Sequence, residues 1–284
     1  MAGEAARSEP ARLLAEKALS KLMSKVDDVS TMTVIGGMVP ATLTTRSVVP
    51  HQGTIDVDIL LELGPFFDRD ELDFGWLEDA LVDSGFISLS GSGGWQWEVR
   101  IDELSVILEF ICDVPDGPGL PLRLPGTRNV SALNFAGPGP AAHDAIELEI
   151  RSALGAPITA RFAGLGGYLL AKATAVVSRA LEKDFYDLAF VVLRNDNGGP
   201  MAAGRAAAAA VPANPLHDFA DIVRQATAKY MSAESEGPLG FVASSLAAGD
   251  PTPSEILAQD AVTAMMQFGA AFEADHAATR RTQG

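Results

Sequence analysis

Apolar and charged positions alternate in several short segments of the first half of the chain, and residues 55–61 show this most clearly. This segment reads Ile-Asp-Val-Asp-Ile-Leu-Leu, so apolar and acidic side chains alternate along its first half. A period of two is typical of a β-strand, and it places Asp56 and Asp58 on the same face of that strand. Related patterns predict further strands over residues 31–35, 86–90, 95–101 and 104–112, and helices over residues 11–27, 38–43 and 74–83.

In the second half of the chain the apolar residues recur every three or four positions, which is typical of amphipathic helices. The alanine-rich residues 198–215 fit either a helix or a mobile connector. Before this half, residues 115–140 are dense in glycine and proline and predict a loop with at most short strands. Helices are predicted over residues 165–181, 185–193, 215–232 and 254–274.

The order of these elements predicts an α/β (α+β) protein in which a mixed sheet is followed by a helical subdomain. The chain has 284 residues, a length that suits one domain with an appended subdomain. We expect an N-terminal helix within residues 1–27, a sheet core over residues 28–150 and the helical subdomain over residues 151–284.

Composition narrows the classes of protein that the chain can belong to. Hydrophobic residues make up 48% and charged residues 20%, as in a folded globular protein. A net charge of −16 argues against binding nucleic acid or an anionic membrane through bulk charge, although a local basic pocket is compatible with it. Cys112 is the single cysteine, so an intrachain disulfide cannot form. We found neither an apolar run of about 18 residues nor a signal-peptide pattern, so we expect a cytoplasmic protein without a membrane partner.

Three acidic residues and a glycine pair carry the clearest chemistry. Asp56 and Asp58 share a face of one predicted strand, and Glu109 stands in the middle of the apolar segment Leu-Ser-Val-Ile-Leu-Glu-Phe-Ile-Cys on another. Carboxylates that face one another repel unless a cation lies among them, and clusters of oxygen ligands suit Mg²⁺ or Mn²⁺. Gly36 and Gly37 follow a predicted strand and lack Cβ atoms, so their backbone can approach phosphate groups closely.

This order of motifs resembles the nucleotidyltransferase superfamily with a DNA polymerase β-like core, which combines a Gly-Gly or Gly-Ser turn, a D-x-D strand and a third acidic strand. The segment around Lys172, Arg179 and Lys183-Asp184-Phe-Tyr-Asp187-Leu is similar to that of AbiEii-type nucleotidyltransferases, the toxin halves of bacterial toxin and antitoxin pairs. Together the motifs cover roughly residues 31–193.

The resemblance implies a nucleotidyltransferase-like core and assigns roles to particular residues. Asp56 and Asp58 would bind the metal, with Glu109 or, less favoured, Asp113 as the third acid. Lys172 would contact the triphosphate. The other residues that would line the nucleotide side of the pocket are Gly36, Gly37, Thr54, Lys183, Asp184 and Asp187. The chain departs from the family pattern in two places, because Glu109 stands where Asp is usual and the turn is Gly-Gly and not Gly-Ser.

Each of these motifs also has a purely structural interpretation. A D-x-D strand is often a solvated face, and Lys172 could extend from a helix toward solvent. Lys183, Asp184 and Asp187 could be ordinary charges at the start of a helix, where acidic residues favour the helix dipole.

The resemblance leads us to expect transfer of a nucleoside monophosphate from a nucleoside triphosphate to a hydroxyl of RNA, such as a tRNA end, or of a protein. It also implies a cognate antitoxin as a partner. One alternative is an antibiotic-type nucleotidyltransferase that modifies a small cationic molecule, which the acidic composition favours. Another is a degenerate protein that binds a nucleotide or a partner without catalysis. His51 could line the pocket, although an ordinary loop histidine is the simpler interpretation.

Overall fold

The computed structural model describes residues 8–63, 72–151 and 155–283. Within these residues the fold is mixed α/β, with one open mixed sheet and a set of C-terminal helices, which confirms the predicted class. Residues 1–7 of the predicted N-terminal segment lie outside the described residues. The strands are β1 (Met32–Ile35), β2 (Val57–Leu61), β3 (Ile87–Ser88), β4 (Gln96–Ile101), β5 (Leu104–Cys112), β6 (Pro121–Arg123), β7 (Ser131–Asn134), β8 (Ile146–Arg151) and β9 (Pro157–Phe162).

Helices precede, interrupt and follow the sheet strands. A 3₁₀ turn over Gly36–Met38 joins β1 to the first short helix after it. The α-helices are α1 (Glu9–Met23), α2 (Pro40–Leu43), α3 (Gly75–Asp83), α4 (Pro140–His143), α5 (Leu165–Ser178), α6 (Glu182–Arg194), α7 (Pro200–Ala210), α8 (Phe219–Ala228), α9 (Glu236–Ala247) and α10 (Ser254–Gln283).

The sheet has the strand order β3-β4-β5-β2-β1-β9-β8, with β7 paired to β5 and β6 paired to β7. Strand β5 runs parallel to β2 and antiparallel to β4. On the buried face of the two parallel strands, Val57 and Ile59 of β2 and Leu108 and Phe110 of β5 are completely buried. This apolar face fixes the register of the strands, because a slip by one residue would carry these side chains to the polar face.

The chain divides into two compact units. The sheet unit contains residues 1–39 and 52–163, and the helical unit contains residues 40–51 and 164–284. The sheet therefore continues past residue 150, the boundary expected from the sequence. The reason is the antiparallel pair β8 and β9, which we did not predict and which ends only at Phe162.

The alanine-rich segment is helical over Pro200–Ala210. The small side chains of this helix allow close packing against α10, since a Cβ atom added to Gly204 would overlap the backbone carbonyl of Phe268. The predicted helix over residues 215–232 is shorter than expected and begins at Phe219, where the Asp218 side chain accepts a hydrogen bond from the backbone N–H of Asp221.

Helix α9 was not predicted, because its first turn contains Gly237 and Pro238, two poor helix formers. Packing accounts for the glycine, since an added Cβ would lie 2.6 Å from the ring of Tyr230. Proline costs little in a first turn, where its missing N–H has no partner within the helix. Across the described part of the chain, none of the helices combines the length and apolar character that crossing a membrane requires.

Candidate functional site

Asp58 and Glu109 occupy directly opposed positions on the parallel strands β2 and β5. A hydrogen bond joins their side chains, so two acidic groups are in direct contact on the polar face of the sheet. We call these two residues the carboxylate pair. Asp56 precedes the first residue of β2, and its charge also acts on Glu109. The structure therefore brings the three acids predicted from the sequence into one region of the sheet unit.

The pKa of Glu109 is raised from its ordinary value of 4.5 to about 7. Burial makes the largest contribution, because it removes water from the charged form, and the negative charge of Asp58 adds to it. Gln96 acts in the opposite direction by donating a hydrogen bond from Nε2 to Glu109 Oε1 over 2.7 Å. Near neutral pH the carboxylate pair therefore holds a proton that an isolated glutamate would release.

The glycine turn, formed by Gly36 and Gly37, packs directly against this region. Gly36 has a φ of +70°, and a Cβ added to it would overlap the Asp58 carboxylate. A Cβ on Gly37 would lie 2.8 Å from the Cβ of Thr54, whose Oγ1 accepts a hydrogen bond from the backbone N–H of Asp56. Both glycines are thus required for the close approach of the turn to the acidic segment.

Asp113, the less favoured third acid, has a different role. Its Oδ2 accepts hydrogen bonds from the backbone N–H groups of Gly137 and Gly139 over 3.0 and 2.9 Å. The carboxylate thereby holds the loop that leads into α4. Glu109 remains the third acid of the candidate site.

No group of three or more His, Cys, Asp or Glu side chains is arranged to hold a metal ion within the described residues. The two side chains of the carboxylate pair are in contact, and the charge of Asp56 also acts on Glu109. Metal binding by all three acids stays a prediction.

The remaining predicted residues belong to the helical unit, where an ion-pair network links α5 and α6. Lys172 Nζ lies 2.7 Å from Asp187 Oδ2 and 3.5 Å from Asp184 Oδ1. Arg179 binds Asp184 in a bidentate manner: its Nε and Nη2 atoms donate to Asp184 Oδ2 and Oδ1 over 2.7 and 2.8 Å. His51 Nε2 lies 2.9 Å from Asp187 Oδ1, so residues 40–51 are attached to α6 at this point. These five residues form the ion-pair network.

Burial disfavours the charged forms of Lys172 and Asp184, but the opposite charges around them outweigh it. Burial disfavours the ammonium of Lys172, yet the carboxylates of Asp187 and Asp184 raise its pKa. Burial likewise disfavours the charged form of Asp184, yet the hydrogen bonds from Arg179 and the charge of Lys172 lower its pKa. Lys172 and Asp184 therefore keep their charges at neutral pH, as close pairing in a buried site requires.

This arrangement corrects some of the structural interpretations of the sequence. Lys172 does not extend into solvent, because its side chain is only 9% exposed and is held by two carboxylates. Asp184 and Asp187 are buried and are not surface charges at a helix start, whereas Lys183 is exposed. Contact of Lys172, Lys183, Asp184 or Asp187 with a nucleotide stays a prediction.

The contacts of His51 and Gln96 were not predicted from the sequence. His51 lies in a loop, as expected, but it is buried and contacts the rings of Tyr186 and Phe190 at centroid distances of 5.0 Å. No local sequence pattern predicts the contact of His51 with Asp187, which lies 136 positions further along the chain. Polar and buried side chains alternate along β4 from Gln96 onward, so the sequence places Gln96 on the polar face of the strand. Which residue it meets on the next strand depends on the register of β4 and β5.

A scan of the chain against models of protein families found no match, and a search of curated protein sequences found none either. The residues and their geometry therefore carry the functional proposal.

Proposed function

We propose that the chain is a metal-dependent nucleotidyltransferase, which transfers a nucleoside monophosphate from a nucleoside triphosphate to an acceptor hydroxyl and releases pyrophosphate. The observation that carries this proposal is the carboxylate pair, Asp58 against Glu109, with the glycine turn packed onto Asp58. The sequence resemblance to nucleotidyltransferases supports the same reaction.

Two carboxylates in contact repel each other when both are ionised, and this repulsion adds to burial, the larger cause, in raising the pKa of Glu109. A divalent cation relieves it, and the all-oxygen ligands favour Mg²⁺ or Mn²⁺ over softer metals. Asp58 and Glu109 would hold the ion, and Asp56 is the third ligand that the resemblance implies. When bound, the ion would neutralise charge on the triphosphate and make its α-phosphorus more electrophilic.

The protein groups perform the rest of the proposed reaction. The glycine turn lacks side chains, so the triphosphate can lie close to its backbone. Glu109, directly opposed to Asp58, would accept the proton of the attacking hydroxyl. The hydroxyl oxygen then forms its bond to the α-phosphorus as the bond to pyrophosphate breaks.

The resemblance to nucleotidyltransferase toxins favours RNA, such as a tRNA end, or a protein as the acceptor. On this proposal the protein acts in the cytoplasm and is controlled by a cognate antitoxin. Contact of Lys172 with the triphosphate belongs to the same proposal. It requires that the buried ammonium keep at least one hydrogen bond available beyond its contacts with Asp184 and Asp187.

A second acceptor class is favoured by the distribution of charge. The sheet unit contains 24 Asp and Glu residues against 11 Lys and Arg residues, which gives a net charge of −13. A surface of this sign attracts cations and repels polyanions. A cationic small molecule of the aminoglycoside type is therefore the alternative acceptor.

The experiment that tests the proposal is incubation of the purified protein with Mg²⁺ or Mn²⁺ and each α-labelled nucleoside triphosphate. Total RNA, cell protein and aminoglycosides serve as separate acceptors. We expect label to appear in one acceptor class with the wild type and not with Asp58→Ala. Glu98→Gln is the matched control, because Glu98 is an acid on β4 that does not belong to the carboxylate pair. Binding of nucleotide without transfer would favour the degenerate binding protein.

A further inference from the structure

Gln96 belongs to the same row of the sheet as the carboxylate pair. It is directly opposed to Glu109 across the antiparallel strands β4 and β5, and Glu109 is directly opposed to Asp58 across β5 and β2. Three polar side chains on three adjacent strands therefore stand side by side. Glu109 is in the middle, with an amide on one side and a carboxyl group on the other.

The contact between Gln96 and Glu109 is short and directed. Gln96 Nε2 donates to Glu109 Oε1 over 2.7 Å, and this contact is partly buried. A partly buried hydrogen bond to a carboxylate is stronger than one between neutral groups. It restricts rotation of the Glu109 carboxyl group, which also contacts Asp58.

The backbone of Gln96 is itself held firmly. Every residue of β4 is paired with a residue of β5. In addition, the backbone N–H of Phe110 donates to the carbonyl of Trp95 over 2.9 Å. The next side chain, Trp97, is buried and donates from Nε1 to the carbonyl of Gly94 over 3.0 Å. The amide of Gln96 therefore extends from a fixed point.

An amide is the side chain that suits this place. A lysine or arginine would neutralise the carboxylate pair and compete with a metal cation, whereas a carboxylate would add to the repulsion. An apolar side chain would leave Glu109 Oε1 without its donor in a partly buried position, which is costly. Glutamine provides a donor without a charge.

We propose that Gln96 is a positioning residue for the metal site, which orients Glu109 by holding its Oε1 atom. This proposal rests on the proposed function, because it assumes that the carboxylate pair binds a divalent ion. Side chains that orient metal ligands typically contribute 10-fold to 100-fold to metal affinity or activity. We therefore expect a loss of that size when the amide is removed.

The test is titration of the metal-free protein with Mn²⁺, followed by isothermal calorimetry, for the wild type, Gln96→Leu and Gln96→Asn. The leucine variant removes the donor, and the asparagine variant keeps an amide that is one methylene too short to make the contact. We expect both variants to bind Mn²⁺ 10-fold to 100-fold more weakly than the wild type. In transfer assays the loss should lie in the Mn²⁺ concentration required, with the KM for the nucleotide unchanged.

Ser105→Ala is the matched control, because Ser105 donates a hydrogen bond to Glu98 across the same two strands. This variant should keep the affinity of the wild type for Mn²⁺. Equal binding by the wild type and both Gln96 variants would overturn the role of Gln96 while leaving the metal site intact. If the wild type itself does not bind Mn²⁺, the metal site and the role of Gln96 are both overturned. The asparagine variant keeps the test valid if the leucine variant does not fold.

Discussion

Asp58 and Glu109 face each other across the parallel strands β2 and β5, and a hydrogen bond joins their carboxyl groups. Glu109 is also the acid whose pKa is raised to about 7, so the contact is unfavourable when both groups are ionised. Asp58, in turn, is packed against Gly36 so closely that no other residue fits there. The fold therefore maintains a contact between acids at a cost in stability.

The stability of the metal-free protein should depend on pH through Glu109. Folding raises the pKa of this group from 4.5 to about 7, so the folded protein holds the proton more tightly than the unfolded chain. The stability from Glu109 is therefore complete below about pH 4.5 and is lost as pH rises through 7. Urea unfolding in EDTA should show that the free energy of unfolding of the wild type falls between pH 5 and pH 8. The fall should be smaller for Glu109→Gln, because glutamine cannot ionise. Parallel pH profiles for the two proteins would contradict the raised pKa.

Adding and removing metal should change the stability of the wild type selectively. An ion that binds only the folded state at 100 times its dissociation constant stabilises the protein by about 2.7 kcal/mol. We expect Mn²⁺ to raise the unfolding temperature of the wild type and EDTA to reverse the effect. Asp58→Asn and Glu109→Gln should not respond, whereas the control Glu98→Gln should respond like the wild type. An equal rise in unfolding temperature for all four proteins would show that the ion binds outside the carboxylate pair.

Gly36→Ala should disrupt the candidate site beyond its effect on the backbone. The new Cβ would overlap the Asp58 carboxylate, and the φ of +70° is unfavourable for alanine. Gly91→Ala is the matched control, because Gly91 has a φ of +86° with no atom within 4 Å of an added Cβ. Urea unfolding should show a loss of about 1 kcal/mol for Gly91→Ala and a larger loss for Gly36→Ala. Only the Gly36 variant should lose Mn²⁺ binding, and loss of binding in both would point to a general effect of strain.

Lys172→Met should reduce stability strongly, because it removes the cation that Asp184 and Asp187 share in a buried place. Breaking a buried ion pair from one side costs about 3–5 kcal/mol. Lys183→Met is the control on the next helix, since Lys183 is exposed and its removal should change the free energy of unfolding by no more than about 0.5 kcal/mol. Urea unfolding at pH 7 checks both values. Similar stabilities of the two variants would show that the ion-pair network adds little to folding.

The sequence was sufficient to predict the strands that carry the carboxylate pair. The alternation before Leu61 predicted β2, and the apolar run around Glu109 predicted β5 with its exact ends. Both signals are local, since they arise from one buried and one polar face on the same strand. The same kind of alternation is present in Ile146–Arg151, the residues that form β8.

What the sequence did not reveal is which distant residues meet. The contact of Gln96 with Glu109 follows from the register of β4 and β5, and the contact of His51 with Asp187 joins residues separated by 136 positions. Such pairings depend on how elements pack, which periodicity along one element does not encode. Helix α9 was missed for a related reason, because its packing against Tyr230 outweighs the poor helix propensity of Gly237.

We propose above all that the carboxylate pair supports nucleotidyl transfer. The most direct test supplies the wild type with a nucleoside triphosphate labelled at the α-phosphorus, or in a parallel reaction at the γ-phosphorus, together with Mn²⁺ and the three acceptor classes. The account predicts that the α-label enters an acceptor while the γ-label leaves in pyrophosphate, and that Asp58→Asn abolishes both events. Transfer of the γ-label to the acceptor, or α-label transfer that Asp58→Asn leaves unchanged, would contradict it.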